Sequence, residues 1–165
     1  LKYIDNFILF LFLTFQFAGV DIGDQAPNFT LLDANDIAHT LSDYKDQFVI
    51  LYFYPKDNTP GCTKEACNFR DNFSQIRAQN AIILGISWDS SEKHASFIDK
   101  HKLPFTLLSD PTGKISKLYD AAGWFFPKRY TFIIDPDGKI RNVYKKFDIS
   151  GHSSEIITFI KSITK

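Results

Sequence analysis

Residues 48–71 read FVILYFYPKDNTPGCTKEACNFRD, and this stretch decides the fold. Its first seven residues form a continuous apolar and aromatic run, which is typical of a strand buried on both faces in the centre of a parallel sheet. A loop bounded by Pro55 and Pro60 follows, and we expect a helix to begin near Gly61 or Cys62. Apolar residues then recur at helical spacing, at Ala66, Phe69, Phe73 and Ile76. The stretch therefore predicts a strand–loop–helix unit with Cys62 at the start of the helix.

The rest of the chain continues this alternation of strands and helices. Strands are expected at residues 29–32, 39–41, 81–87, 105–108, 130–134 and 139–145, and helices at residues 89–101, 113–119 and 153–163. Asp89 followed by Glu92 resembles a capping box at the start of the first of these helices. The sequence DPDG at residues 135–138 predicts a turn that joins the last two strands as a hairpin. The pattern indicates an α/β domain with a mixed central sheet flanked by helices.

Length and composition fit one domain and exclude several classes of protein. Of 165 residues, 44% are hydrophobic and 23% are charged, which supplies one apolar core and excludes global disorder. The formal net charge is zero, so the basic footprint of a nucleic-acid-binding protein is missing. The two cysteines are too few for a disulfide scaffold or for a four-ligand structural zinc site. They are therefore a structural pair, a redox pair or two unrelated buried thiols.

Residues 1–20 stand apart from the domain, which we place at residues 21–165. Residues 7–17 (FILFLFLTFQF) are almost entirely apolar, but this run is shorter than the roughly 20 residues that span a bilayer. It suits the hydrophobic part of a signal peptide or an anchor, although the cleavage signal after it is weak. The alternative is an amphipathic extension that packs on the domain. The compartment, cytoplasmic or exported, depends on this choice, and contact with a membrane is expected only if the segment is an anchor.

The expected position of Cys62 favours a reactive thiol. In open α/β sheets, ligands bind beyond the carboxyl ends of the strands, where the helix that starts with Cys62 would begin. The free N–H groups and the macrodipole of a helix N-terminus both stabilise a thiolate, which is the nucleophilic form of cysteine. From position alone, an inert buried thiol stays open as the alternative.

A specific motif surrounds this cysteine. Residues 55–62 (PKDNTPGC) match the pattern Pro-x-x-x-Thr-x-x-Cys of peroxiredoxins, and residues 52–71 resemble the bacterioferritin comigratory protein or peroxiredoxin Q subfamily. Three further segments match in the same order: GDQAPNFTL (23–31), LPFTLLSD (103–110) and RYTFIIDPDGKI (129–140). The resemblance covers residues 22–163 and implies a thioredoxin-like fold.

The resemblance implies a catalytic role for each of five residues. Cys62 matches the peroxidatic cysteine, which attacks a peroxide oxygen and becomes a sulfenic acid. Thr59 matches a hydroxyl that accepts a hydrogen bond from the peroxide or donates one to the thiolate. Pro55 matches the residue that shields the thiolate from water. Arg129 matches a permanently charged group that holds the thiolate and the polarised O–O bond. Cys67 matches the resolving cysteine.

The spacing of the two cysteines adds a geometric condition. Five helical residues rise about 7.5 Å, which exceeds the Cα separation of about 7 Å that a disulfide tolerates. An intact helix therefore cannot contain a disulfide between Cys62 and Cys67. If the two residues form one, the first helical turns must unwind. The alternative is that Cys67 is a small core residue and a thiol of another molecule resolves the sulfenic acid.

The resemblance also implies the reaction and its partners. Hydrogen peroxide and organic hydroperoxides would be reduced to water or alcohol, without metal, haem or flavin, because the chemistry takes place on sulfur. Electrons would come from thioredoxin or a similar dithiol reductant, and a monomer is expected. Residues 124–127 (WFFP) form either an apolar rim at the site or ordinary packing. No histidine is assigned to catalysis, and Glu65 and Arg70 are expected to pair with charged neighbours.

Two other functions are alternatives for a chain of this pattern. A thiol–disulfide oxidoreductase would have Cys-x-x-Cys at the start of the helix, whereas four residues separate Cys62 from Cys67. Such an enzyme would exchange disulfides without peroxide. A non-enzymatic binding protein or holdase on the same scaffold would keep its function when Cys62 is replaced by serine.

Overall fold

A computed structural model describes residues 19–164, and within them seven strands form one sheet. The strands are β1 (Thr30–Asp33), β2 (Ala38–Thr40), β3 (Phe48–Phe53), β4 (Ala81–Ser87), β5 (Thr106–Ser109), β6 (Tyr130–Ile134) and β7 (Ile140–Tyr144). The helices are α1 (Pro60–Asp71), α2 (Phe73–Arg77), α3 (Ser91–His101), α4 (Lys114–Leu118) and α5 (His152–Ile163), with a 3₁₀ helix at Leu41–Tyr44. The hydrophobic segment expected at residues 1–20 lies outside the described residues except for Gly19 and Val20.

The sheet is mixed, as predicted. Its strand order is β2-β1-β5-β4-β3-β6-β7. The central pairs β3–β4 and β4–β5 are parallel, whereas β6 runs antiparallel to β3 and forms the expected hairpin with β7. Strand β3 lies near the centre and all six of its residues are buried. Its carboxyl end leads directly into the loop before α1, so the start of α1 lies at the edge where α/β sheets bind ligands.

Apolar clusters cover both faces of the sheet, and the alternation of side chains along β3 divides its residues between them. Ile50 and Tyr52 belong to the cluster that includes α1 and α5. Val49, Leu51 and Phe53 belong to the cluster on the other face. No helix within residues 19–164 combines the length and the apolar character needed to cross a membrane.

Two details differ from the sequence-based expectations. The helical pattern that continues to Ile76 is broken at Asn72, which ends α1 and precedes the short helix α2. The N-cap of α3 is Ser90, whose hydroxyl accepts from the N–H of Lys93, so the prediction of Asp89 as the cap was wrong. The Asp89 carboxylate instead accepts the hydroxyl of Ser87 and is buried.

Candidate active site

Cys62 lies in the first turn of α1, at the position that the sequence predicts. Thr59 is the N-cap with an extended backbone (φ −80°, ψ 150°), and Pro60 occupies the first helical position, where its missing N–H removes no helical hydrogen bond. The first hydrogen bond of the helix runs from Thr63 N–H to the Thr59 carbonyl (2.9 Å). The N–H groups of Gly61 and Cys62 therefore have no acceptor within the helix. The side chain of Cys62 is 1% exposed, and its thiol is free.

Arg129 brings a positive charge to the sulfur of Cys62. It immediately precedes β6, which pairs with β3, so the sheet places it beside the start of α1. Its Nη2 donates to Cys62 Sγ at 3.2 Å, and its Nη1 pairs with the carboxylate of Glu65. Burial lowers the pKa of Arg129, but Glu65 and Cys62 outweigh burial and raise it above its ordinary value. The guanidinium therefore stays charged against the sulfur.

Glu65 is a site residue that the sequence reasoning missed. The expectation was a charge pair with helical neighbours, yet Glu65 is 1% exposed and pairs with Arg129, 64 residues away along the chain. Burial raises its pKa to about 7, although Arg129 acts in the opposite direction. Among residues 19–164, its Oε1 atom has no hydrogen-bond partner. The position three residues after Cys62, on the same face of α1, was the only available signal.

Thr59 and Pro55 belong to the loop that ends at α1, and both are half-buried. The Thr59 hydroxyl donates to the carbonyl oxygen of Lys56 at 3.1 Å. Because that donation uses its only hydrogen, its lone pairs are left to accept a hydrogen bond. Pro55 directly follows the buried end of β3 and Tyr54. The structure thus joins Cys62 to Arg129 by direct contact and places Thr59 at the helix cap.

A buried polar network centred on Asp57 anchors this loop. The Asp57 carboxylate accepts from the Tyr54 hydroxyl (2.7 Å) and lies 2.8 Å from His94 Nδ1, while its backbone N–H donates to Asp89 (2.9 Å). The other ring nitrogen of His94 faces the carbonyl of Leu108 at 3.2 Å. Both ring nitrogens of His94 therefore face acceptor oxygens, and the contacts tie the loop to α3 and to the end of β5. No periodic pattern or motif in the sequence indicates this network.

His152 is a buried histidine close to Arg129. It is fully buried, stacks on Phe147 (ring centroids 3.6 Å apart), and has Nε2 within 2.9 Å of the Thr131 hydroxyl. Burial and the nearby charge of Arg129 lower its pKa to about 4. His152 is therefore neutral around pH 7, and its Nδ1 has no hydrogen-bond partner in the part of the chain that the structure describes.

Cys67 lies further along α1, half-buried and free. Both cysteines are within the continuous helix, so the rise of about 7.5 Å for five residues separates them in this state. The next residue, Asn68, attaches α1 to the start of α5: its side chain donates to the Ser150 carbonyl (2.9 Å) and accepts from the Ser153 N–H (3.1 Å). Arg70 pairs with its neighbour Asp71, as expected.

The remaining candidates lie in the loop before Arg129. Trp124, Phe125 and Phe126 are 96%, 82% and 54% exposed, whereas Pro127 is buried. These three aromatic side chains are therefore not packed in the core. Among residues 19–164, no cluster of three or more His, Cys, Asp or Glu side chains could hold a metal ion.

The mixed sheet, the helix that begins beside its central strand, and a buried thiol contacted by an arginine define a thiol-based redox enzyme of thioredoxin-like fold. The AhpC/TSA family model matches residues 22–143. Peroxiredoxin Bcp of Bacillus subtilis is 38% identical over 156 residues, which cover 88% of this chain and 98% of that protein.

Solved structures agree with this match. A PrxQ mutant from Xylella fastidiosa superposes with a TM-score of 0.85 and 33% identity over 90% of this chain and 99% of its own. The bacterioferritin comigratory protein of Xanthomonas campestris, studied for alkyl peroxide reduction, superposes with a TM-score of 0.79 and 28% identity. The match covers 83% of this chain and 92% of that protein. The chain belongs to the AhpC/TSA family, within the peroxiredoxins named Bcp and Q, and is a thiol peroxidase.

Proposed function

We propose that this peroxidase works through Cys62 as the peroxidatic cysteine and Cys67 as the resolving cysteine. One observation carries the assignment of Cys62: its buried sulfur lies at the N-terminus of α1, 3.2 Å from Nη2 of Arg129. A positive charge and free backbone N–H groups are the features that stabilise a thiolate. Cys67 lies beyond the first turn of α1, and its charged neighbour is Arg70 of the same helix.

In the first step, the Cys62 thiolate attacks the outer oxygen of a hydroperoxide, R–O–O–H. The S–O bond forms as the O–O bond breaks, and the products are Cys62–S–OH and an alkoxide that takes up a proton to leave as R–OH. Arg129 stabilises the negative charge as it moves from sulfur to the leaving oxygen. The Thr59 hydroxyl, whose hydrogen is already donated to Lys56, accepts the hydrogen bond of the peroxide O–H. Pro55 shields the sulfur from water.

Glu65 has a positioning role in this step. Its carboxylate holds one side of the Arg129 guanidinium, so that Nη2 is directed at the sulfur. A guanidinium that contacts both Glu65 and Cys62 keeps its orientation while negative charge moves from the sulfur to the leaving oxygen.

In the second step, the Cys67 thiol attacks the sulfur of Cys62–S–OH, forms the disulfide and releases water. The helical separation of the two residues requires α1 to unwind between them before the S–S bond can form. A dithiol protein such as thioredoxin then reduces the disulfide and is itself oxidised. The intramolecular disulfide needs no second subunit, so we expect a working monomer, with the activity contained in residues 21–165.

For the substrate, we propose hydrogen peroxide and alkyl hydroperoxides. The Xanthomonas relative was studied for alkyl peroxide reduction, which supports the second class. The exposed aromatic side chains of residues 124–126, in the loop that ends at Arg129, offer apolar surface to an alkyl group.

The test is intact-mass spectrometry with thiol counting after one equivalent of hydrogen peroxide. Wild type should lose about 2 Da and both thiols, whereas Cys67→Ser should gain about 16 Da on Cys62 as the trapped sulfenic acid. Cys62→Ser is the control and should not react. If Cys62 stays reduced for minutes under stoichiometric peroxide, the proposal fails and a thiol–disulfide oxidoreductase becomes the better interpretation.

A further inference from the structure

The loop at residues 121–128 is a turn closed by backbone hydrogen bonds, and the aromatic residues 124–126 at its tip face solvent. The Gly123 N–H donates to the Phe126 carbonyl (3.1 Å), and the Lys128 N–H donates to the Ala121 carbonyl (2.7 Å). A β-bridge joins Ala122 to Pro127. These backbone contacts fix the conformation of the turn, so the exposure of its tip is built into the fold.

The tip exposes three consecutive large aromatic residues. Trp124 and Phe125 are 96% and 82% exposed, and Phe126 is 54% exposed. Single apolar residues on a surface are ordinary, but a contiguous apolar patch marks a site of interaction. Burying an aromatic side chain of this kind removes roughly 150–250 Å² from water.

Two lysines lie close to Tyr130, which follows this loop at the start of β6. The ammonium groups of Lys128 and Lys145 are each 5.4 Å from the centre of the Tyr130 ring, and Lys128 also pairs with Asp120. Lys146 follows Lys145 and is exposed. We name Trp124, Phe125, Phe126, Lys128, Lys145 and Lys146 the aromatic–basic face.

The chain enters the described domain beside this face. A Cβ atom on Gly19 would lie 3.4 Å from Cβ of Asp120, and Asp120 pairs with Lys128 (3.4 Å). Gly19, the first described residue, therefore lies next to the aromatic–basic face.

We propose that the aromatic–basic face docks on a lipid bilayer with anionic headgroups. Trp and Phe side chains favour the boundary between headgroups and acyl chains, and lysines beside them pair with lipid phosphates. A second copy of the chain fits less well, because a two-fold contact through this face would bring the same lysines together. Residues 7–17 alone would cover the aromatic tip but carry no negative charge for the lysines.

The fluorescence of Trp124 tests the proposal in the full-length chain. The chain has two tryptophans, so Trp124→Phe reports Trp88 alone and provides the baseline. Vesicles of phosphatidylcholine with or without phosphatidylglycerol are titrated, and emission maximum and iodide quenching are recorded. We expect a blue shift and protection of Trp124 only with the anionic vesicles.

Two variants assign the effect to the face. Lys145→Gln with Lys146→Gln should weaken the anionic-vesicle affinity about 25-fold, since each lysine near an anionic surface contributes about fivefold. Phe125→Ser with Phe126→Ser should weaken that affinity at least tenfold. The matched controls, Lys161→Gln and Ile37→Ser, alter an exposed lysine and an exposed apolar residue elsewhere and should not affect binding.

Three results would overturn the proposal. One is vesicle binding without any change at Trp124, which would place the contact elsewhere in the chain. Another is a Trp124 signal that is already blue-shifted and protected without lipid in a monomer, which would mean that residues 7–17 cover the tip. The third is self-association by sedimentation that disappears in the Phe125→Ser, Phe126→Ser variant, which would make the face a contact between copies.

Discussion

Two neighbouring segments of the site are held in opposite ways. The loop at residues 55–59 is anchored through Asp57, whose carboxylate and N–H make buried contacts with Tyr54, His94 and Asp89. The first turns of α1 pack Cys62 and Ala66 into the apolar core, and their polar contacts from outside the helix come mainly from Arg129, through Cys62 and Glu65. The polar anchor of the loop thus has several members, whereas the polar anchor of the helix start is one cation.

The difference matches what each segment must do in the proposed mechanism. The loop has to keep Pro55 and Thr59 in place for every peroxide molecule, whereas the first turns of α1 have to open before Cys67 can reach Cys62. Oxidation itself favours that opening, because a sulfenic acid is neutral and no longer attracts the Arg129 guanidinium as a thiolate does. Polar contacts that depend on one charged side chain suit a segment that must unwind once in each catalytic cycle.

Replacing the one cation should have the largest effect. In Arg129→Gln, we expect the second-order rate constant for Cys62 oxidation by hydrogen peroxide to fall about 100- to 1000-fold, since the charge beside the sulfur is lost. Stopped-flow fluorescence measures it. Arg141→Gln is the matched control, because Arg141 pairs with Asp135 in the β6–β7 hairpin and makes no contact with Cys62. Equal rates for the two variants would remove Arg129 from the mechanism.

Breaking the buried network should mainly cost stability. His94→Leu leaves the buried Asp57 carboxylate without its histidine and with the Tyr54 hydroxyl as its remaining side-chain partner, so we expect the free energy of unfolding to fall by about 3–5 kcal/mol. The comparison is His39→Leu, where the histidine and its partner Asp33 are 20% and 13% exposed; about 1 kcal/mol or less is expected there. Denaturant unfolding measures both, and similar losses would contradict the buried anchor.

The pH dependence of the free energy of unfolding should contain a contribution from Glu65. Its pKa is raised from 4.5 to about 7, so between those values the folded state binds more protons than the unfolded state, and this group makes the free energy of unfolding decrease as pH rises. Its contribution to the slope is at most about 1.4 kcal/mol per pH unit. His152, with a pKa lowered from 6.5 to about 4, acts in the opposite direction up to pH 6.5.

Glu65→Gln should therefore remove the downward contribution. We expect its free energy of unfolding to rise with pH between 4.5 and 7 relative to wild type, as measured by urea unfolding at several pH values. A difference between the two proteins that is independent of pH would show that Glu65 does not titrate in this range.

A single methyl group on α1 should have the smallest effect and test both properties of the helix start. In Gly61→Ala, the new Cβ would lie 3.3 Å from Nη2 of Arg129 and displace the guanidinium slightly, so we expect an about threefold slower reaction with peroxide. Alanine also stabilises a helix by about 0.5–1 kcal/mol relative to glycine, so formation of the disulfide should slow about three- to fivefold. Rapid-quench thiol counting follows both steps.

The control for this variant is Gly151→Ala. Gly151 precedes α5, and a Cβ there has its nearest neighbour at 3.8 Å, an ordinary contact. If Gly151→Ala slows disulfide formation as much as Gly61→Ala, unwinding at the start of α1 is not what limits that step.

Local sequence patterns predicted most of the fold. The apolar run at residues 48–54 gave β3, and residues 81–87 and 130–134 gave β4 and β6 with the observed bounds. The DPDG turn correctly predicted the hairpin of β6 and β7 and hence the mixed sheet. These elements are predictable because burial on one or both faces leaves a period in the sequence. The break at Asn72 and the cap at Ser90 were missed because several polar residues compete for such local hydrogen bonds.

The candidate site was predicted in part. Cys62, Cys67, Thr59, Pro55 and Arg129 follow from the motif and the resemblance, and the structure adds the direct contact of Arg129 with Cys62. The sequence by itself determined the position of Cys62 at a helix start, because the strand, the loop and the helical spacing are local features. Only the tertiary structure decided that Glu65 is buried against Arg129, that His94 holds the loop through Asp57, and that residues 124–126 are exposed. These contacts join residues that lie far apart along the chain, and the physical quantities that define them, burial and distance between charges, exist only once the sheet has brought the segments together.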